Sequence, residues 1–224
     1  MKEKLLYVTF IVVLFASCRA GPDIRFPGPN GIPDDSEITR TFVITDHKNR
    51  ASGESIPEWV NLWLNSTIQD LEALQAFNGR YVFIGRNEGV NLNPLHLWRE
   101  SFSPELDFPR LAAARIERRF ASVTTHPDAE YGAFYEALIR AASDAPWIGA
   151  VSEDDFWIRR RYAPDEEDEQ ELETWEFLIL LTIEREQFAY QLDDVFRRIN
   201  PFPTPTRYQI QAANHVKENF FNGF

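Results

Sequence analysis

The chain has 224 residues with 23 basic and 35 acidic side chains, a formal charge of −12 at pH 7. This acidic balance argues against a nucleic-acid partner and against electrostatic attraction to an anionic lipid surface, because both require basic residues. Hydrophobic residues make up 44% of the sequence, enough for a folded core. The single cysteine, Cys18, excludes an intramolecular disulfide and a thiolate metal cluster.

The first residues have the layout of an export signal. Met1–Lys4 is charged and net positive, Leu5–Phe15 is an apolar run interrupted only by Thr9, and small residues follow before Cys18. The apolar run is too short to cross a bilayer as a helix, which needs about 20 residues. We therefore predict that residues 1–17 are a signal peptide that is removed.

The residues around Cys18 resemble the lipobox of bacterial lipoproteins, in which a cysteine after small residues receives the lipid. Leu is usual three residues before that cysteine, whereas Phe15 stands there in this chain and Leu14 lies one residue earlier. Spirochaete lipoproteins are known to relax this position. We predict that Cys18 is acylated and anchors the protein to a membrane. The alternative is a secreted protein that is cleaved after Ala20 and carries no lipid.

Residues 18–55 are predicted to form a tether between the lipid and the folded part. Prolines and glycines are frequent over residues 19–37, where no hydrophobic period is found. Thr41–Thr45 is a β-branched run that indicates either a first strand or a part of the tether that folds back. The folded domain is predicted over residues 56–199, and residues 200–224 are predicted to be a proline-containing linker and a last helix.

Two periodicities predict the elements of the folded domain. Apolar residues at helical spacing predict helices over residues 57–64, 68–77, 94–102, 108–123, 129–142 and 186–199. Asp107 is the predicted N-cap of the helix at 108–123. Runs of β-branched and aromatic residues predict strands over residues 81–84, 156–162 and 175–183. The first of these strands is expected to end at Gly85, and a loop carrying Gly89 follows.

The strand at 175–183 is apolar at both sets of alternating positions, which predicts a central strand covered on both sides. The connection over residues 163–174 is rich in Asp and Glu, so it is expected to be a solvated loop. It joins this strand to the one at 156–162 as an antiparallel hairpin. The order of elements predicts an α+β fold, a single domain with helices packed on a small antiparallel sheet.

Motifs for catalysis or metal binding are missing from the sequence. His47, His96, His126 and His215 lie too far apart in sequence for the spacing of zinc ligands on a helix. Neither a Gly-x-Ser-x-Gly elbow nor a Ser-x-x-Lys motif occurs, and Gly85–Gly89 favours a turn after a strand over a phosphate loop. The sequence therefore predicts no catalytic residue, no metal, no cofactor and no enzymatic activity.

Charged residues surround the strand at 156–162. Glu153–Asp155 precede it and are expected to lie in a solvated turn. Within the strand, Arg159 and Arg161 project from the same face and are candidate contacts for an anionic ligand, since guanidinium groups bind carboxylates and phosphates through paired hydrogen bonds. The favoured alternative is that the two arginines pair with the acidic connection beside them.

Short patterns of apolar residues and glycines carry a resemblance to a known family. They are Pro57–Val60, Tyr81–Gly89, Leu111–Ile116, Phe156–Trp157 and Phe177–Ile183. In these patterns the chain resembles the small membrane-associated lipoproteins of the Helicobacter type, a family also seen in spirochaetes, over roughly residues 56–198. The helices between Ile84 and Arg110 depart from the family pattern. The resemblance implies a helix-on-sheet α+β domain, a lipid-bearing cysteine and no established catalytic residues.

These observations predict a lipid-anchored protein of the bacterial cell envelope that faces the periplasm or the cell surface. We expect it to bind or scaffold another envelope component without catalysis and to have no nucleic-acid partner. Two alternatives stay open. One is a peptidoglycan-directed hydrolase that acts through carboxylates such as Glu88 or Asp154. The other is a carrier of an apolar ligand, which the aromatic content of 14% allows.

Overall fold

The computed structural model describes residues 42–123, 129–163 and 172–199, together with the single residues 207, 210 and 214. The predicted signal peptide, Cys18, most of the tether, most of the acidic connection and nearly all of the last helix lie outside the described residues. The helices are α1 Glu58–Asn65, α2 Ile68–Glu72, α3 Leu92–Ser101, α4 Pro104–Val123, α5 Ala129–Ser143 and α6 Arg185–Arg198. The strands are β1 Phe42–His47, β2 Arg80–Gly89, β3 Val151–Tyr162 and β4 Leu172–Glu184.

The four strands form one antiparallel sheet in the order β1-β3-β4-β2. The predicted α+β fold with helices on a small antiparallel sheet is confirmed, as are the hairpin of β3 and β4 and the interior position of β4. The first strand suggested at Thr41–Thr45 is also present, because β1 pairs with β3. The described fold therefore starts at Phe42, inside the range 18–55 that the sequence assigned to the tether.

Helices cover the sheet on both faces, and this explains why β4 is apolar at every position but one from Phe177 to Ile183. One set of β4 side chains, including Leu178 and Leu180, packs with residues of α1 and α2 such as Val60. The alternate set, including Ile179, packs with residues of α3 to α6 such as Ile116. Leu178 and Ile179 are both fully buried. A strand between two helical layers has no solvent face on which to place polar residues.

Strand β2 is longer than the sequence predicted. The strand does not end at Gly85 but continues to Gly89, paired with β4 throughout. A β-carbon at Gly85 would lie 2.9 Å from Cε2 of Phe102, so the glycine makes room for an aromatic ring on the strand. This glycine therefore serves packing of α3 on the sheet rather than a turn.

Helix α4 begins earlier than predicted. It starts at Pro104, so Asp107 lies inside the first turn and is not the N-cap. The Asp107 carboxylate instead accepts a hydrogen bond of 2.9 Å from the backbone N–H of Ser103, the residue before the helix. Pro104 suits the first helical position because its missing N–H would have had no partner there. The predicted helix over 68–77 is α2 followed by a 3₁₀ turn at Gln75–Phe77.

Side chains bind the outward backbone groups of both edge strands. At β2, the Val82 N–H donates to Glu72 at 2.9 Å, and the Val82 carbonyl accepts from Arg115 at 3.0 Å. At β1, Arg50 donates to the carbonyl of Thr45, next to a bulge in the strand. Such contacts protect a sheet edge from pairing with another chain. These edge positions are therefore poor sites for strand addition.

Candidate binding surface

Arg159 and Arg161 lie on the same face of β3, as their alternation predicted. Both bind the carboxylate of Glu173 on β4, which is 3.0 Å from Nε of Arg161. Glu173 belongs to the predicted acidic connection, but it lies in β4 directly opposite Arg161. The hydrogen bond from Arg161 and the charge of Arg159 lower the pKa of Glu173. We call these three residues the Glu173 triad.

Two tryptophans lie beside the Glu173 triad. The rings of Trp157 and Trp175 meet edge to face, with centroids 5.1 Å apart. The guanidinium of Arg159 lies 5.2 Å from the centroid of the Trp175 ring, within the range of a cation–π contact. Both tryptophans are only partly buried. Neither tryptophan was predicted as a site residue, although Trp157 shares the alternation that placed Arg159 and Arg161 on one face.

A second triad surrounds Asp155 on the same face of β3. Its carboxylate is 2.5 Å from Nζ of Lys48, which follows β1, and 2.7 Å from Nε of Arg99 in α3. Burial alone would raise the pKa of Asp155, but the hydrogen bonds from Lys48 and Arg99 outweigh it and lower the pKa. We call these residues the Asp155 triad, and the two triads with the two tryptophans the Trp–Arg face.

The predicted solvated turn at Glu153–Asp155 is wrong, because all three residues lie in β3. Glu153 and Asp154 are exposed as residues, but each has a partner from another part of the chain. Glu153 accepts hydrogen bonds from Arg80 and Thr182, and Asp154 accepts one from the indole N–H of Trp59. Partners distant in sequence therefore keep an acidic run within a strand.

Charged side chains of both signs lie close together on the Trp–Arg face. Besides the two triads, β1 places the carboxylate of Asp46 opposite Arg159. Among the residues that the structure describes, four cations and three carboxylates are then grouped on this face. The cations are Lys48, Arg99, Arg159 and Arg161, and the carboxylates are Asp46, Asp155 and Glu173.

The Trp–Arg face lies mainly over β1 and β3, the half of the sheet that helices on this side cover least. The described helices on this side make their main sheet contacts with β2 and β4 rather than with β1 and β3. Trp98 and His96 of α3 border the face, and both rings contact Phe177 of β4. On the opposite border, Val43 of β1 is 58% exposed. Aromatic and basic side chains are thus accessible between β1 and α3.

The third arginine of the run, Arg160, belongs to the other face of β3 and has a structural role. It binds Glu176 of β4, which is fully buried and is also bound by Arg86 of β2. Arg86 reaches Glu88 as well, at 2.9 Å. Glu88 is therefore part of an internal ion network.

The two carboxylates of the hydrolase alternative, Glu88 and Asp154, are far apart. Glu88 pairs with Glu176 of β4, whereas Asp154 pairs with Leu180 on the opposite side of that strand. Four residues along a strand and two strand spacings place them roughly 16 Å apart. Glycoside hydrolysis needs a separation of about 5–10 Å. The structure does not bring them together as a catalytic pair.

The histidines in the described residues have aromatic neighbours. His47 stacks on Phe156, and His96 contacts Phe177, while His126 and His215 lie outside the described residues. Among the residues that the structure describes, no three His, Cys, Asp or Glu side chains are grouped so that they could hold a metal ion. No helix in the described part of the chain has both the length and the apolar character that crossing a membrane requires.

Comparison of the chain with protein-family models, curated proteins and solved structures found no match in any of the three.

Proposed function

We propose that the protein is a lipid-anchored component of the bacterial envelope that binds another envelope component through the Trp–Arg face, without catalysis. The anchor is Cys18, which the lipobox resemblance supports, and the part of the predicted tether that precedes β1, residues 18–41, would separate the binding domain from the membrane. The resemblance to the small membrane-associated lipoproteins agrees with this proposal and remains a prediction.

The observation that carries the proposal is the accessible Trp157–Trp175 pair between two sets of paired cations. Trp and Arg are among the residues most enriched at the positions that dominate binding energy in protein interfaces. They are effective because an aromatic ring offers a large apolar area and a guanidinium offers directed hydrogen bonds. In this protein Arg159 and Arg161 remain 37% and 43% exposed despite their shared carboxylate. The surface is therefore chemically suited to a partner.

The two alternative functions have less support. The hydrolase alternative needs two nearby carboxylates, and Glu88 and Asp154 are bound to different partners in different parts of the sheet. The carrier alternative needs aromatic side chains around a ligand. The largest aromatic residues of the core instead pack on one another, as Trp147 does on Phe188 with ring centroids 4.8 Å apart.

A photo-crosslinking experiment in intact cells tests the proposal. We would place a photoreactive amino acid at Val43, which borders the Trp–Arg face, and at Tyr190 of α6 as a matched control that is 72% exposed. We expect a discrete crosslinked product from Val43 that is absent from Tyr190 and is lost when Trp157 and Trp175 are replaced by Ala. Equal products at the two positions, or none at Val43, would contradict the use of this face.

The anchor is tested in the same cells. Cys18→Ala should move the protein from the membrane fraction to the soluble fraction, because the acidic chain has no electrostatic attraction to anionic lipid. If the Cys18→Ala variant stayed with the membranes through a wash at high salt, membrane attachment would not depend on a lipid at Cys18.

A further inference from the structure

The Trp–Arg face lies close to the point where the predicted tether enters the fold. We propose that residues 22–33 of the tether dock on the tryptophans of this face and that the envelope partner has to displace them, a competition that rests on the proposed function. The segment would be an internal occupant that covers the face until a partner binds.

Aromatic side chains, rather than charges, are the groups that the face offers to such a segment. Asp155 and Glu173 are each bound by two cations, and Arg161 makes a further interaction besides the one with Glu173. The connection between β3 and β4 adds six acidic residues over 165–171. Residues 22–33 contain one Asp and one Arg, so their net charge is zero and these acidic residues give little net attraction or repulsion.

Three partly buried tryptophans, Trp98, Trp157 and Trp175, form what we call the aromatic track. Trp157 lies beside Trp175 and directly opposite Phe177 of β4. Trp98 of α3 contacts the Phe177 ring, with centroids 6.4 Å apart. A strand spacing of about 5 Å and this ring distance place Trp157 and Trp98 roughly 10 Å apart. Grooves lined by aromatic rings are a common docking site for proline-rich segments.

The sequence of residues 22–33 matches the aromatic track. Its four prolines favour the polyproline II conformation, which repeats every three residues with a rise of about 3.1 Å per residue. Phe26, Pro29 and Ile32 recur at this period, so they would project from one side at intervals of about 9 Å. We call these three residues the apolar stripe. The interval is close to the separation of the two ends of the aromatic track.

The chain between the segment and the fold has a suitable length. Strand β1 begins at Phe42, level with the start of β4, so two strand spacings and three residues along β4 place Phe42 roughly 14 Å from Trp175. A flexible linker of about nine residues, from Pro33 to Phe42, has an r.m.s. end-to-end distance of about 17 Å. Because this length is close to the span, the local concentration of the segment at the face is in the millimolar range, and even a weak contact is occupied.

Docking would also change how far the domain reaches from the membrane. With Cys18 acylated, a docked segment leaves residues 18–21 between the lipid and the face, whereas a released segment leaves residues 18–41. An extended chain spans at most about 3.3 Å per residue, so release adds up to about 65 Å of reach. Displacement by a partner would therefore both expose the face and extend the tether.

Photo-crosslinking in the purified full-length protein, in detergent, tests the docking. We would place a photoreactive amino acid at His96, an exposed residue of α3 whose ring contacts the one that Trp98 contacts, and at Tyr190 of α6 as the control. Trypsin cleaves after Arg25 and Arg40, so we expect His96 to give a crosslinked peptide that contains residues 26–40. Tyr190 should give none.

The mass of the product identifies the occupant. A docked tether of the same chain gives a product with the mass of a monomer, and its yield does not depend on protein concentration. A product with the mass of a dimer would assign the face to the tether of a second copy and would overturn the proposal.

Two double variants separate the apolar stripe from the rest of the segment. Pro29→Ser with Ile32→Ser removes two residues of the stripe and should lower the crosslinked fraction at His96 several-fold. Gly28→Ser with Gly31→Ser changes a different side of the same segment, so this matched control should not lower it. Equal losses in the two variants would show that the stripe is not what docks.

A change in the face gives the reciprocal test. Trp157→Ala with Trp175→Ala should lower the crosslinked fraction at His96 several-fold, because most of the aromatic track is removed. Arg198→Gln, on the exposed part of α6, should leave it unchanged. Thermal melting verifies that each variant is folded, and a folded tryptophan variant with an undiminished product would contradict docking on the track.

The competition is tested in cells with the crosslinker at Val43. Pro29→Ser with Ile32→Ser should raise the yield of the partner product, because the internal occupant is removed, and an unchanged or lower yield would overturn the competition. If His96 gives no tether product while Val43 still captures a partner, the docking is wrong and the proposed function stands. If the tether product forms and Val43 captures no partner, the docking stands and the proposed function is wrong.

Discussion

Gly85 determines how closely α3 can approach the sheet, and replacing it with Ala tests the packing that positions Trp98 and Arg99. A β-carbon at this position would lie 2.9 Å and 3.1 Å from two ring atoms of Phe102, and 3.6 Å from Cβ of Ile179. The Phe102 ring cannot turn away freely, because it is buried and also contacts the ring of Trp98. Gly85→Ala should therefore displace the Phe102 ring and, with it, the C-terminal end of α3, which Phe102 directly follows.

Two opposing effects determine how much Gly85→Ala lowers the free energy of unfolding. Overpacking a buried site by one methyl group typically costs about 1–3 kcal/mol. Removing a glycine from a strand interior gains about 0.5–1 kcal/mol, because alanine loses less backbone entropy on folding. The cost exceeds the gain at Gly85, so we expect a net destabilisation of about 1–2 kcal/mol. For a domain of this size that loss corresponds to a fall in melting temperature of roughly 2–8 °C.

Gly89 is the matched control in the same strand. A β-carbon there would meet its nearest atom, Cδ2 of Leu95, at 3.7 Å, which is ordinary van der Waals contact. Gly89→Ala should therefore leave the free energy of unfolding unchanged or increase it slightly. Urea denaturation followed by tryptophan fluorescence measures both variants.

A compensating change tests whether Phe102 is the cause. Phe102→Leu shortens the side chain, so the double variant Gly85→Ala with Phe102→Leu should be more stable than the sum of the two single losses predicts. Equal losses at Gly85 and Gly89, or strict additivity of Gly85→Ala and Phe102→Leu, would refute the argument that this glycine makes room for the ring.

Two further predictions concern the charged and polar groups inside the fold. Glu176→Gln should cost about 3–5 kcal/mol in the free energy of unfolding, measured by urea denaturation, because two buried arginines lose their shared carboxylate. A loss close to zero would show that solvent reaches the arginines. Burial and the hydrogen bond to Glu117 raise the pKa of Tyr135 from 10.0 to about 12. The stability from this bond is complete below pH 10 and is lost as the pH rises to about 12, so Tyr135→Phe should flatten that part of the pH dependence.

The fold could be predicted for those helices and strands whose apolar residues follow a single periodicity. The strand β4 and its pairing with β3 followed from an apolar run and a polar connection, because a strand buried on both faces excludes polar residues. The end of β2 could not be predicted in this way. Glycines within a strand usually indicate a bend or a turn, and the actual reason for Gly85 is the ring of Phe102, which is supplied by a different element.

The binding surface could be predicted only in part. Alternation along β3 placed Arg159 and Arg161 together, since the side-chain period of a strand is two. The Asp155 triad could not be predicted, because Lys48 and Arg99 come from distant parts of the sequence. Taken alone, a run of acidic residues such as Glu153–Asp155 suggests a solvated turn. The groups that bind it in the fold are distant in the sequence and cannot be recognised from the run itself.

The Arg159–Arg161 run contributes both to the interior of the sheet and to the Trp–Arg face. The strand turns its middle residue, Arg160, toward the buried Glu176, where the ion pair is closed to solvent and helps to fix β3 against β4. The same alternation turns Arg159 and Arg161 to the opposite face, where they share one carboxylate and remain accessible. If β3 were shifted by one residue, Arg159 and Arg161 would point to the buried side and Arg160 would point to the Trp–Arg face. Two cations would then be buried with one carboxylate or none. The buried pair therefore sets the register that keeps the two outer arginines on the Trp–Arg face.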